Sequence, residues 1–173
     1  MALRKGRITM PKTIYKEVKT VGQIEWPRLN EENRDLTGYG GAYEKSDGAY
    51  TVNQILDKEG MKYLKDAGSQ KQPNQSRMID GEIVVKFVRP HKVTKKDGTE
   101  IPQAGGAPKV TDKDGNPWTE DMGVIGNGTL AECTNLVTTF TGSDGQQYSR
   151  TSLVGVKVLE LEEYVKENEA VGF

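Results

Sequence analysis

Seven residues have the types and spacing to do recognition chemistry: Tyr39, Tyr43, Lys86, Arg89, Lys92, Trp118 and Arg150. Tyr39 and Tyr43 lie in the glycine-rich stretch "NRDLTGYGGAYEK", between Arg34 and Lys45. Lys86 and Arg89 bracket Phe87 in "IVVKFVRPHK", and Lys92 follows. Trp118 comes after Lys109 and Lys113, and Arg150 after Tyr148. Cations beside flat rings can track phosphates while the rings take stacked bases, at about 1–3 kcal/mol per base. Single-stranded nucleic acid suits that combination. A duplex reader more often shows a recognition helix or a stronger basic balance, and the formal net charge here is -1. Phe87, in an alternating strand, is expected in the core rather than under a base. Trp26 and Trp118, each beside a proline, are readable either way, and Tyr39 and Tyr43 are expected to be exposed.

Other chemistries lack their residues. His91 is the sole histidine, so neither a Ser–His–Asp nor a Cys–His arrangement has an anchor, and no Cys/His cluster could hold zinc. "DKDGN", Asp112 to Asn116, has the look of a calcium-loop start but lacks the distal glutamate. "GVIGNG" is followed by no Gly-Lys-Ser/Thr, so it is not a phosphate loop. An enzyme, a cofactor and a metal are all unexpected. The lone Cys133 forms no disulfide within the chain and is read as a small buried hydrophobe.

Turns and short strands must position the seven residues. Hydrophobic residues are 34% and glycines number 20, which favours a β-rich domain; 173 residues suit one such domain. Strands are expected over Tyr15–Trp26, Gly48–Leu56, Glu82–Arg89, Thr129–Phe140 and Tyr148–Leu161. Shorter ones are allowed near Glu100 and Lys109–Thr111. Within them Tyr50, Val52 and Gln54 share a face, as do Val154, Val156 and Val158. By the same parity Lys86 and Arg89 point to opposite faces. A helix is expected from Asp57, its N-cap, to Gly68, its stop. The count predicts a mostly β fold: a five-stranded, OB-fold-like Greek-key barrel with one inserted helix and long loops. Gly126 and Gly128 precede the strand at Thr129, and their expected role is a bend or bulge that lets the sheet curl.

Charge divides the ends. Residues 1–19 carry six cations against Glu17, a net of +5; residues 159–173 carry five glutamates against Lys166, a net of -4. The expected organisation is a basic arm over 1–13, a binding domain over 14–161 and an acidic tail over 162–173. Two solvated termini is the plainer reading of the same charges. No long apolar run or signal peptide is visible, so a soluble cytoplasmic protein with no membrane contact is expected.

The stretch "DMGVIGNGTLAECTNLVTTF", a short polar turn, then "SLVGVKVLELEEY" resembles the last two strands of the phage-encoded single-stranded DNA-binding proteins of the podophage type. "GYGGAYEKSDGAYTVNQIL", "DGEIVVKFVRPHK" and "VTDKDGNPWTEDM" resemble earlier parts of that family in the same order. The resemblance implies an OB-fold that binds single strands without sequence preference in DNA replication, recombination and repair. It also implies an acidic tail with a terminal aromatic, here Phe173, that contacts the phage DNA polymerase and helicase and competes with DNA. Parts of the family dimerise, so a homodimer is an implied partner as well. The alternative from the residues alone is a structural or assembly β-domain of a phage particle with no nucleic-acid role; an Asp/Glu nuclease ranks below both.

Overall fold

A computed structural model describes residues 13–164. The basic arm up to residue 12 and the tail from 165 to Phe173 lie outside the described residues, and so do the roles expected of them. Six strands form the structure: β1 (Thr13–Arg28), β2 (Ala49–Leu56), β3 (Ile83–Pro90), β4 (Lys109–Thr111), β5 (Leu130–Thr141) and β6 (Gln147–Glu160). They make one sheet in the order β3-β2-β1-β5-β6-β4. Neighbours are antiparallel except β4 with β6. The sheet is not closed by a backbone ladder, so it is a curled six-stranded sheet rather than a five-stranded barrel. The sixth strand is the short β4; Thr94 and Glu100 form only an isolated bridge.

The curl begins in β1. Its residues from Thr13 to Gln23 pair with β5, and from Ile24 onward it pairs with β2. At the changeover a Cβ on Gly22 would overlap the carbonyl oxygen of Ile55, so only glycine lets the two backbones pass this closely. Gln54 fills the same corner. Its amide donates to the carbonyls of Thr20 at 3.0 Å and Ala131 at 3.1 Å, and its carbonyl accepts from the Thr20 hydroxyl at 2.5 Å. A buried polar group needs such partners, and here they tie three strands together. Around it Tyr50, Val52, Phe87, Val85, Ile24 and Leu153 are fully buried. Phe87 is therefore core, as its alternation indicates.

Two features differ from the reading of the sequence. Leu153, not Val154, is buried with Val156 and Val158. The cause is a register shift: Gly155 faces Thr134 while Leu153 faces Asn135, so Val154 is the extra residue and the inward phase slips by one. Residues 162–164, expected in the tail, are bonded to the body. The Tyr164 amide donates to Val124, Gly126 donates to Glu162 at 2.8 Å, and the Thr129 hydroxyl bonds both backbone groups of Glu162. The Gly126-Asn127-Gly128 turn thus lies against another backbone: a Cβ on Gly126 would sit 2.8 Å from the Glu162 carbonyl oxygen.

Helix α1 (Lys58–Asp66) runs where its capping residues put it. The Asp57 carboxylate accepts from the Gly60 amide at 2.7 Å, and Gly68 follows the helix at φ 98. A second, one-turn helix α2 (Gln75–Met78) was not evident in the polar connector. The segment between the helices runs along the open seam from β6 to β3. The Ser69 hydroxyl lies 2.6 Å from that of Thr151 on β6, and the Asn74 amide donates to Val84 on β3.

Candidate nucleic-acid interface

The outer side of β2 and β3 carries the candidate site. Cross-strand register sets Asn53 against Lys86 and Thr51 against Val88, and β1 adds Glu25 beside Asn53 and Arg28 beside Thr51. At one end Arg77 of α2 ion-pairs with Glu25 at 2.8 Å and Glu82 at 2.7 Å. At the other end the loop over residues 29–48 folds over the sheet. It is tightly built: Asp35 and Ala49 exchange backbone hydrogen bonds, and the Arg34 guanidinium donates to the carbonyls of Glu31 and Asp47.

That loop carries Tyr43 beneath Lys86, whose Nζ lies 5.8 Å from the ring centroid. Gly38, at φ 70, makes room for the ring; a Cβ there would lie 2.6 Å from it. Burial, then the Asp35 charge, raises the Tyr43 phenol's pKa. Tyr39 stands fully exposed at the loop's tip, on a turn with Gly38, Gly40 and Gly41 all at positive φ. The Asp35 carboxylate accepts amides from Gly38 at 2.9 Å and Thr37 at 3.3 Å. The Gly38 bond chiefly holds its pKa down; the positive charges of Arg28 and Lys86 add to that. Lys71, in the seam segment, has its pKa lowered by burial and then by the charge of Lys86. Lys86 therefore stands over the tyrosine, with Arg28 and Lys86 both in electrostatic reach of Asp35 and Lys71 in reach of Lys86.

The other expected site residues fall elsewhere. Arg150 is exposed on the outer side of β6, opposite Thr138. β6 runs parallel to β3, so Arg150 stands across the seam from the Lys86 face with the Lys71 segment between them. Arg89 points inward at the seam. It donates to the carbonyls of Gly106 at 2.8 Å, Gly105 at 3.0 Å and Gln103 at 3.2 Å, and reaches Ser152 on β6 at 3.5 Å. Its hydrogen bonds hold a loop and close the seam, and burial lowers its pKa. Lys92 lies 4.0 Å from Asp47, next to His91, whose ring nitrogens lie 3.2 Å from Glu31 and 3.5 Å from Asp47.

Trp118 sits apart from the cations. Its indole N–H donates to the Gly123 carbonyl at 2.9 Å, and the ring lines a cleft of about 530 Å³. Pro27, Leu29, Val110 and Ile125 line it too, with Glu31, Glu32 and Glu120 among its polar residues.

Three residues near the site were outside the expected seven. Arg28 neighbours Trp26 in sequence, but its place on this face depends on the β1–β2 register. Lys71 lacks a sequence signal, because it lies in an aperiodic polar connector. Trp26 had one, an indole beside Arg28. It is 65% exposed, at φ 50, in the β1 bulge, and its amide donates to the Asn127 side chain at 2.6 Å. A bulky residue in that backbone region is strained and persists only where its surroundings fix it.

Over 92% of its length the chain matches 96% of the crystal structure of gp2.5, a single-stranded DNA-binding protein encoded by bacteriophage T7, with a TM-score of 0.55 and 15% sequence identity. The fold is gp2.5-like. No protein-family model and no curated protein matches the sequence. Among the described residues no helix is long and apolar enough to cross a membrane, and no group of three or more His, Cys, Asp or Glu is placed to hold a metal ion.

Proposed function

We propose that this chain is a non-catalytic, sequence-tolerant single-stranded DNA-binding protein of phage DNA replication, recombination and repair. The observation that carries the reading is Lys86 over the Tyr43 ring on the outer side of β2 and β3, where the β1 register adds Arg28 and the charge of Lys71 bears on Lys86. A stacked base and its phosphate need a flat ring and a cation within one nucleotide's reach, and this pair supplies both. The outer side of strands 2 and 3 with the loop between strands 1 and 2 is also where OB-folds take oligonucleotides. The gp2.5-like fold supports the same reading. In it Tyr39, Tyr43, Arg28, Lys71, Lys86 and Arg150 carry the strand, Trp26 flanks it, and Arg89 and Trp118 serve the scaffold. The tail, ending in Phe173, is then a docking segment for polymerase and helicase in the host cytoplasm.

The test is a titration of the whole chain with oligo-dT and with a duplex of equal length, read by tryptophan emission over a salt series. Single strands should bind far more tightly. The logarithm of the affinity should fall by about 0.7 per phosphate contact for each tenfold rise in salt. Equal affinity for both forms, or no binding at low salt, would sink the reading.

A further inference from the structure

The cleft around Trp118 belongs to no part of the proposed DNA path. Its walls are apolar, from Pro27 and Leu29 on one side to Val110, Trp118 and Ile125 on the other. Val124 at its edge is 56% exposed. Of its carboxylates, Glu31 is engaged by Arg34, His91 and Tyr50, while no ion pair involves Glu32 or Glu120 among the described residues. Among the described residues no Lys or Arg lines it. An apolar groove with unneutralised acids repels a polyanion and suits a peptide that mixes cations with apolar side chains.

The chain contains such a peptide. "LRKGRITM", residues 3–10, has Arg4, Lys5 and Arg7 among Leu3, Ile8 and Met10, with no acid. We propose that this basic arm of one copy docks in the Trp118 cleft of the next. Residues 3–10 precede Thr13, where β1 starts, and the cleft opens past the far end of β1, at Pro27 and Leu29. Thr13 lies level with Tyr148 of β6, whereas Val110 of the cleft pairs with Val156, eight residues further along that strand. To enter its own cleft an arm would have to double back over about 26 Å of strand, which at ~3.6 Å per residue uses about seven of its residues and leaves few of its cations for the rim. A neighbour's arm meets no such limit. The acidic tail has the wrong sign for this rim. The contact is head-to-tail: arm and cleft are different surfaces, so each bound copy leaves one of each free, and association continues past the dimer. Copies linked in this way would lie in file, as consecutive proteins on one strand must.

The test is charge exchange, followed by sedimentation velocity without nucleic acid. It is therefore independent of whether the chain binds DNA. The full chain at low salt should show a mass that rises with concentration past that of a dimer. Reversing the cleft (Glu32→Lys with Glu120→Lys) should abolish this, as should reversing the arm (Arg4→Glu, Lys5→Glu and Arg7→Glu). Mixing the two variants should restore it, because each acidic arm then meets a basic cleft and each basic arm an acidic one. The mixture also controls for misfolding, since unfolded variants could not rescue each other. A chain that stays monomeric, or stops at a dimer, up to about 100 µM overturns the proposal. So does association past the dimer that survives the cleft reversal, or two inactive variants that do not rescue each other. Association abolished by removing residues 166–173 and not by reversing the arm would give the cleft to the tail instead, and would overturn it equally.

Discussion

Loop 29–48 has a different neighbour on each side. Its first residues, Leu29 to Asn33, line the Trp118 cleft with Glu31 and Glu32 among them. Its later residues, Gly38 to Tyr43, lie over β3, with the Tyr43 ring under Lys86. Both surfaces pair an aromatic ring with a glycine-rich turn, yet one is lined by acids and the other by cations. Local sequence does not decide this. Lys109 and Lys113 precede Trp118 in the chain, but neither lines the cleft. Lys71 is remote in sequence from Tyr43, yet it is close enough to Lys86 for the two charges to affect each other. The charge around a ring is set by which strands and connectors the topology brings alongside.

The largest expected effect separates the two surfaces. Neutralising Arg28, Lys71 and Lys86 together, each to Gln, should weaken single-strand binding by at least about a hundredfold at low salt, since a charge-assisted contact contributes about 1.5–3 kcal/mol. The salt slope should fall by about 2 units, three contacts at ~0.7 each. Neutralising Glu32 and Glu120 should leave affinity for a dT strand too short for two copies unchanged. An unchanged salt slope in the triple variant would show that this face is not the DNA path.

Next in size is the ring itself. Tyr43→Ala should cost about tenfold in single-strand affinity, within the ~1–3 kcal/mol of one stacked base, and Tyr43→Phe almost nothing. Trp118→Phe should leave affinity unchanged while Trp26 still reports binding through its emission. If Trp118→Phe abolished the emission change while Tyr43→Ala did not alter affinity, the two surfaces would have to exchange roles.

The strands that carry this face were legible, because Tyr50, Val52, Gln54, Val85 and Phe87 keep strict alternation and all are buried. So was α1, through Asp57 and Gly68. Three things were not. The β6 bulge slips the inward phase at Val154, because a register shift depends on the partner strand and leaves no mark in the strand's own pattern. The cationic cluster combines β1, β3 and a connector, so no window of sequence contains it. Arg89 looked like Lys86 in sequence, and parity alone placed them on opposite faces. Only the carbonyls of residues 103, 105 and 106 show where its donors go.

Arg89 gives the third prediction. Arg89→Lys keeps the charge but loses the fork that spans three carbonyls, and lysine cannot reproduce that geometry. Thermal unfolding should drop by several degrees, for about 1–3 kcal/mol of lost bonding to buried acceptors, while the salt slope for oligo-dT stays unchanged. A phosphate contact would behave the other way, with Lys tolerated and stability untouched.

The smallest effect concerns how the loop holds its shape as pH changes. Asp35 caps the turn under Tyr43 through the amides of Gly38 and Thr37, and these bonds hold its pKa below the ordinary 3.8. Glu31 joins the first half of the loop to β2 and to the residue after β3 by accepting from Tyr50 at 3.1 Å and lying 3.2 Å from His91; the bond to His91 is the main cause of its lowered pKa. Both carboxylates are depressed on folding, so each stabilises the loop fully at pH values above its unfolded pKa. That stabilisation is lost as pH falls through the folded pKa. Loss of these two carboxylate bonds should therefore loosen the loop only in acid, about pH 4 and below. Amide shifts should show it: the Gly38 and Thr37 resonances should titrate together with a midpoint under 3.8, and Asp35→Asn should erase the transition. Because Asp35 lies within electrostatic reach of Arg28 and Lys86, Asp35→Asn also sharpens the contrast between the two surfaces. It removes a negative charge from the path of the strand, which should tighten binding, but it weakens the cap that seats Tyr43. A slightly raised affinity with a mobile Tyr43 ring would show that charge outweighs positioning there; weaker binding would show that the seat of the ring matters more.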